Sequence, residues 1–130
     1  MLSYIVRPSR IHGQGLFTLS RIPRRMKLGE LTGVKRRMSH ALREQQQREV
    51  MKLVELGHGW ALDCMEGNEF SSLNHSCQAN CYLRIAHRRV EIYSLDSIPA
   101  NHELTVDYGE TMHKGGMQCC CGLPGCRSNI

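Results

Sequence analysis

Ser72-Leu73-Asn74-His75-Ser76-Cys77-Gln78-Ala79-Asn80-Cys81 packs amide, imidazole, hydroxyl and thiol groups into one short stretch. Alone it is ambiguous, because Asn and His are common satisfied polar residues beside turns. Its meaning comes from its company. Glu103-Leu104-Thr105-Val106-Asp107-Tyr108 follows it, then Cys119-Cys120-Cys121-Gly122-Leu123-Pro124-Gly125-Cys126-Arg127, and Gly13-Gln14-Gly15 precedes it. The glycine pair, taken alone, reads as a turn.

Four of the seven cysteines crowd between residues 119 and 126. Adjacent cysteines are poorly placed to pair with each other, so metal binding fits better than disulfides. Cys119-x-Cys121-x4-Cys126 supplies three thiolates within one tight turn, and zinc takes four tetrahedral ligands. Cys77, Cys64, Cys81, Cys120 and several histidines are chemically eligible as the fourth. A closed set of four would leave no open position for metal-dependent hydrolysis.

At 130 residues and 41% apolar, the chain holds enough material for one core. Seven aromatic residues place the weight of that core on Leu, Ile, Val and Met and make Tyr108 conspicuous. Nine Lys/Arg stand in the first forty residues against one acid, Glu30, while the remaining ninety carry eight against eleven. Such asymmetry is a solvated basic face or a surface for a nucleosome or an acidic partner. Phe17 is the one aromatic residue between these charges along the chain, short of the repeated interleaving that single-stranded nucleic-acid grooves require. No apolar run approaches the ~20 residues that span a bilayer, so no membrane segment is expected. The opening Met1-Leu2-Ser3-Tyr4-Ile5-Val6-Arg7 lacks the apolar stretch of a secretory signal, and an intracellular reducing compartment is expected.

Short strands are expected at 3–6, 15–18, 27–32, 60–63 and 80–86. Another begins at Val90, where Val90, Ile92 and Ser94 alternate with Glu91 and Tyr93 after a basic turn. Leu42, Val50, Leu53 and Val54 recur at helical spacing between Ser39, a plausible N-cap, and Gly57, a plausible C′ residue. The fold expected is mostly β with one short helix. His113-Lys114-Gly115-Gly116 is the best candidate boundary.

In this order the motifs resemble the SET domain family of protein lysine methyltransferases. Val6 to Ser9, His12 to Phe17, Ile22-Pro23 and Gly29 to Gly33 match the family's opening strands. Gly67-Asn68 and Ser72 to Cys81 match its asparagine-histidine-serine-cysteine segment, Glu103 to Tyr108 its last catalytic strand, and Cys119 to Arg127 its post-SET motif. The C-terminal motifs are similar to trithorax-type members. The resemblance implies a β-clip fold of small sheets, a knot-like threading of the C-terminal segment and a zinc-bound tail. It divides the chain into a SET domain at 1–110, a linker at 111–118 and a post-SET zinc segment at 119–130.

By the same resemblance the protein is a transferase that uses S-adenosylmethionine to methylate a lysine of a histone or another protein. Gly13, Gln14, Gly15, Asn74, His75, Tyr108 and Leu123 would contact the cofactor, and Tyr108 would align the lysine amine. Cys77 would join Cys119, Cys121 and Cys126 around zinc. Val106 stands where the family's Phe or Tyr limits the number of methyl groups, and valine leaves more room. Leu31 stands where many relatives place a second active-site tyrosine, which supports the alternative of a catalytically weak module docking on chromatin or an acidic partner. Relatives of this kind are nuclear in eukaryotes; in a bacterium the protein would be cytoplasmic or a secreted effector. Oligomeric state and target lysine are not encoded in these motifs.

Overall fold

The computed structural model describes residues 2–45, 53–107 and 126–127. The larger of two sheets contains β1 (Tyr4–Pro8), β2 (Gln14–Thr18), β3 (Lys27–Leu31), β7 (Asn74–His75), β8 (Cys81–Ala86), β9 (Arg89–Ser94) and β10 (Glu103–Val106). Its order is β1-β2-β10-β8-β9-β3, with β7 also paired to β10. The smaller sheet is β4 (Val34–Arg37), β6 (Trp60–Asp63) and β5 (Leu53–Gly57), with β6 central. A single α-helix, α1 (Met38–Gln45), follows β4 among the described residues, a 3-10 turn covers Glu69–Ser72, and no helix among them is long and apolar enough to cross a membrane.

Alternation writes the core. Along β9, Val90, Ile92 and Ser94 are buried while Arg89 is exposed, as the sequence pattern predicts. Leu16 of β2, Leu104 of β10, Ile92, Ile22 and Ile98 are all 1% exposed or less, and each contributes about 1.5–3 kcal/mol by leaving water. Ile22 and Ile98 also exchange reciprocal backbone hydrogen bonds of 2.9 and 2.8 Å, which close the loops behind the sheet. A second, smaller core of Leu62, Cys64 and Val90 joins the two sheets.

The helix expected from Ser39 to Gly57 is a correction. It ends at Gln45, and Leu53–Gly57 is a strand paired antiparallel with Trp60–Asp63. His58 and Gly59 take φ of +54° and +80°, the two-residue turn that suits the twist of a hairpin. Gly57 lies at a register shift in that pairing and does not cap a helix. Leu53 and Val54 matched helical spacing with Leu42, but a short apolar run serves either period, and turn chemistry decides.

β10 determines where the site forms. On one side it pairs antiparallel with β2, placing Leu104 opposite Leu16. On the other it runs parallel to β7 and β8, with Thr105 opposite Asn74 and Val106 opposite both His75 and Cys81. A late strand is thus inserted between segments from the beginning and the middle of the chain. Asn80 fixes its depth: the side-chain amide donates to the Glu103 carbonyl at 2.8 Å, and its oxygen accepts the Thr105 N–H at 2.9 Å.

Candidate active site

At one end of β10 the loop between β1 and β2 is held by side chains from distant parts of the sequence. The Asn74 amide nitrogen lies 3.0 Å from the carbonyl oxygens of His12 and Gln14 and 3.0 Å from a carboxylate oxygen of Glu103. Two amide hydrogens thus serve three acceptors. The Ser9 hydroxyl donates to the same carboxylate at 2.8 Å and accepts the Ile11 N–H at 2.9 Å. The result is a clamped turn with Gly13 and Gln14 exposed on its outer side.

Gly15 has a steric reason to be glycine. A Cβ there would stand 2.5 Å from Glu103 Oε2 and 3.0 Å from Ser9 Cβ, so the carboxylate occupies the space that a side chain would need. Glu103 and Ser9 therefore organise the turn. Neither residue was assigned a role from sequence; the carboxylate that opens the Glu103-to-Tyr108 motif was the available signal.

At the other end of β10, His75 is 4% exposed. Its Nε2 lies 3.3 Å from Cys77 Sγ and 3.3 Å from a guanidinium nitrogen of Arg127. That guanidinium donates to Asp107 Oδ1 at 2.6 Å, and the Arg127 backbone N–H donates to Cys77 Sγ at 3.4 Å. The guanidinium's hydrogen bond to Asp107, and then its side-chain interaction with Cys77, push the Arg127 pKa up from its ordinary value. One tail residue thereby touches the Asn74-to-Cys77 segment and the residue that follows β10. Arg127 was not singled out from sequence.

Several predicted site residues come together here. Gly13, Gln14, Gly15 and Asn74 share one hydrogen-bonded turn, His75 and Cys77 face the chain that follows Cys126, and Val106 is buried beside His75. Tyr108, Cys119, Cys121 and Leu123 lie outside the described residues, as do the segment 111–118 and most of 119–130. Among the described residues, no three His, Cys, Asp or Glu side chains stand together as a metal site. Of the other described candidates for a fourth thiolate, Cys64 and Cys81 are buried. Burial pushes the Cys81 thiol up to about 12, so it stays protonated at neutral pH and is a poor ligand. Leu31 is half-buried and packs against both cores.

The family described as "SET domain" matches residues 13–109. The "Histone-lysine N-methyltransferase, H3 lysine-4 specific" of Schizosaccharomyces pombe is 32% identical over 133 residues, covering 95% of this chain and 14% of that protein. "Histone-lysine N-methyltransferase SETD1A" of Homo sapiens is 30% identical over 134 residues, covering 94% of this chain and 8% of that protein. The chain therefore spans a small fraction of the length of these curated relatives. Among solved structures, the methyltransferase domain of human Histone-lysine N-methyltransferase SETMAR superposes with a TM-score of 0.87 at 21% identity, covering 99% of this chain and 58% of that one. KRYPTONITE in complex with mCHG DNA and SAH gives a TM-score of 0.81 at 25% identity, covering 98% and 29%.

Proposed function

The chain belongs to the SET domain family, and from that membership we propose that it is an S-adenosylmethionine-dependent protein-lysine N-methyltransferase acting on a histone or another protein. The observation that carries the proposal is the insertion of β10 between β2 and β7, which joins the clamped Gly13-Gln14-Gly15 turn to Asn74, His75 and the approach to Tyr108. Relatives named as histone-lysine methyltransferases favour this enzyme over a catalytically weak docking module.

The residues present fit the cofactor. The turn at 12–15 is fixed by Asn74 without being covered, and at Gly13 an added Cβ would meet nothing within 4 Å, so main-chain groups are accessible to a ligand. Gly13, Gln14, Gly15, Asn74, His75, Tyr108 and Leu123 would hold S-adenosylmethionine, whose sulfonium supplies the methyl group. Tyr108 would orient the lysine amine by its hydroxyl, and alignment in a narrow channel replaces much of the entropy cost of bringing two molecules together. A free lysine has a pKa of about 10.4, so desolvation and a neighbouring positive charge are needed to present it neutral. Val106 in place of a bulkier residue leaves room for products beyond monomethyl-lysine.

Zinc fits by the chemistry of the donors. Cys77 faces the backbone that follows Cys126, and together with Cys119 and Cys121 the two would make a closed tetrahedral site. Such a site would tie the tail to the wall that His75 helps to build. The partner we propose is a histone in its nucleosomal setting or another protein with an acidic face, in the nucleus if the cell is eukaryotic.

The deciding experiment is methyl transfer from labelled S-adenosylmethionine to core histones, nucleosomes and the protein itself, with product masses read. Transfer that falls at least tenfold in Tyr108→Phe, with di- or trimethyl-lysine among the wild-type products, is expected. Cofactor binding without transfer to any lysine would overturn the choice of substrate, and no cofactor binding would overturn the enzyme.

A further inference from the structure

Trp60 is the single tryptophan of the chain. It opens β6 beside the seam between the two sheets, where Leu62 packs with Val90. Its ring lies under two guanidinium groups, with the Cζ of Arg37 4.4 Å and that of Arg88 5.6 Å from its centroid. Arg37 comes from β4, opposite Trp60 in register. Arg88 comes from the turn between β8 and β9, where His87 and Arg88 take φ of +52° and +59°. Lys35 lies two residues before Arg37 on β4, hence on the same face.

Most cations nearby are matched. Arg36 pairs with Asp63 at 2.9 Å, Arg84 with Glu91 at 3.2 Å, and Arg89 lies 3.9 Å from Glu30. Lys35, Arg37 and Arg88 are exposed, and none is paired with a carboxylate among the described residues.

We infer that the rim formed by Lys35, Arg37 and Arg88 around Trp60 is a docking surface for the phosphate backbone of duplex DNA. Three classes of partner could answer its charge, and the state of Trp60 separates them. A protein partner draws most of its affinity from an aromatic or apolar anchor buried at the centre of the contact. A single strand binds by stacking its bases on bare aromatic faces. Here the ring is already engaged by two guanidinium groups, which serves neither. What the rim offers is oriented positive charge. Stacking holds the forks in place and so reduces the cost of ordering them on binding, and their planar geometry matches phosphate oxygens. Charge without an anchor suits a duplex bound through its backbone, with release of counterions. The pattern is hidden along the chain because Trp60 is distant in sequence from both arginines.

The inference goes beyond the methyltransferase reading and does not rest on it, since binding is measured without cofactor or protein substrate. Anisotropy of a short labelled duplex is followed against salt for the full chain and for Arg37→Gln/Arg88→Gln. The expected result is weaker binding by the variant, with a salt slope shallower by about 1.8, the value for two lost phosphate contacts. Duplex binding should also change the emission of Trp60. The Arg37→Lys/Arg88→Lys pair keeps the charge but not the stacked forks and should bind between the wild type and the Gln pair, whereas Arg10→Gln/Arg24→Gln, which removes equal charge elsewhere, should bind as wild type. An equal loss in that control would reduce the effect to net charge and overturn the assignment. So would a loss in the Lys pair as large as in the Gln pair, tighter binding of a single strand than of the duplex, binding of polyglutamate with none of DNA, or no binding at low salt.

Discussion

The two sheets are held together by different means. Around β10, buried or half-buried side chains address the backbone of segments far away in sequence: Asn80 reads the edge of Glu103 and Thr105, and Asn74 reads His12 and Gln14. In the β4-β6-β5 sheet the contacts are backbone pairing, local in the β5-β6 hairpin and longer-range between β4 and β6, with one small core and ion pairs such as Arg36 with Asp63 and Glu44. A buried polar group that loses its partner costs its full desolvation, whereas an exposed ion pair is screened and returns its charges to water. The first region specifies one arrangement of the chain, and the second tolerates change while presenting charge.

That contrast breaks if the substitutions rank differently from what it requires. Asn80→Ala should have the largest effect, because it strands the Thr105 N–H and the Glu103 carbonyl together: on the order of 2–4 kcal/mol in urea unfolding, with cofactor affinity falling as β10 loosens. A loss below about 1 kcal/mol would shift the burden of placing β10 to its apolar neighbours Leu16 and Leu104.

Arg127→Ala should come next. It removes the bond to Asp107 and the contact with His75, and cofactor binding measured by calorimetry should weaken roughly tenfold, the scale of one charge-assisted hydrogen bond. Metal content should be unchanged in this variant but lost in Cys77→Ser. Parallel loss of metal in both would make Arg127 a part of the proposed zinc site and not a link to the strand.

The alkaline limb of stability sharpens the comparison further. Burial pushes Cys81 up to about 12, and burial together with the charge of Cys81 and then Glu69 raises Tyr4 to about 12. In the unfolded chain these groups release their protons near pH 8.5 and 10, so above those values the unfolded state binds fewer protons than the native one. The stability they contribute is complete below the unfolded values and falls by about 1.4 kcal/mol per pH unit for each group until its folded pKa is reached. Cys81→Val should flatten the curve between pH 9 and 10, where Tyr4 is still protonated in both states, and an unchanged slope there would remove Cys81 as the cause.

Arg36→Gln should do least. Glu44 is exposed and the half-buried Asp63 keeps the Met65 N–H at 3.1 Å, so the urea midpoint should move little; a loss exceeding that of Asn80→Ala would invert the comparison.

Much of this was legible in order along the chain. The alternation of Val90, Ile92 and Ser94, the Asn74-to-Cys81 stretch and the strand opening at Glu103 were each readable, because period and residue chemistry are local properties. The helix to Gly57 was misread because Leu53 and Val54 serve either period, and the turn at His58-Gly59 outweighed them.

The amino-acid sequence by itself determined the family, the mostly β character and the candidates Gly13, Gln14, Gly15, Asn74 and His75, since each rests on residue type and spacing. Tertiary structure alone decided that Glu103 fills the space left at Gly15, that Arg127 reaches both His75 and Asp107, and that Trp60 lies under Arg37 and Arg88. Those contacts join residues brought together only when β10 is inserted and the two sheets meet, and burial changes the cost of a contact according to which neighbour arrives.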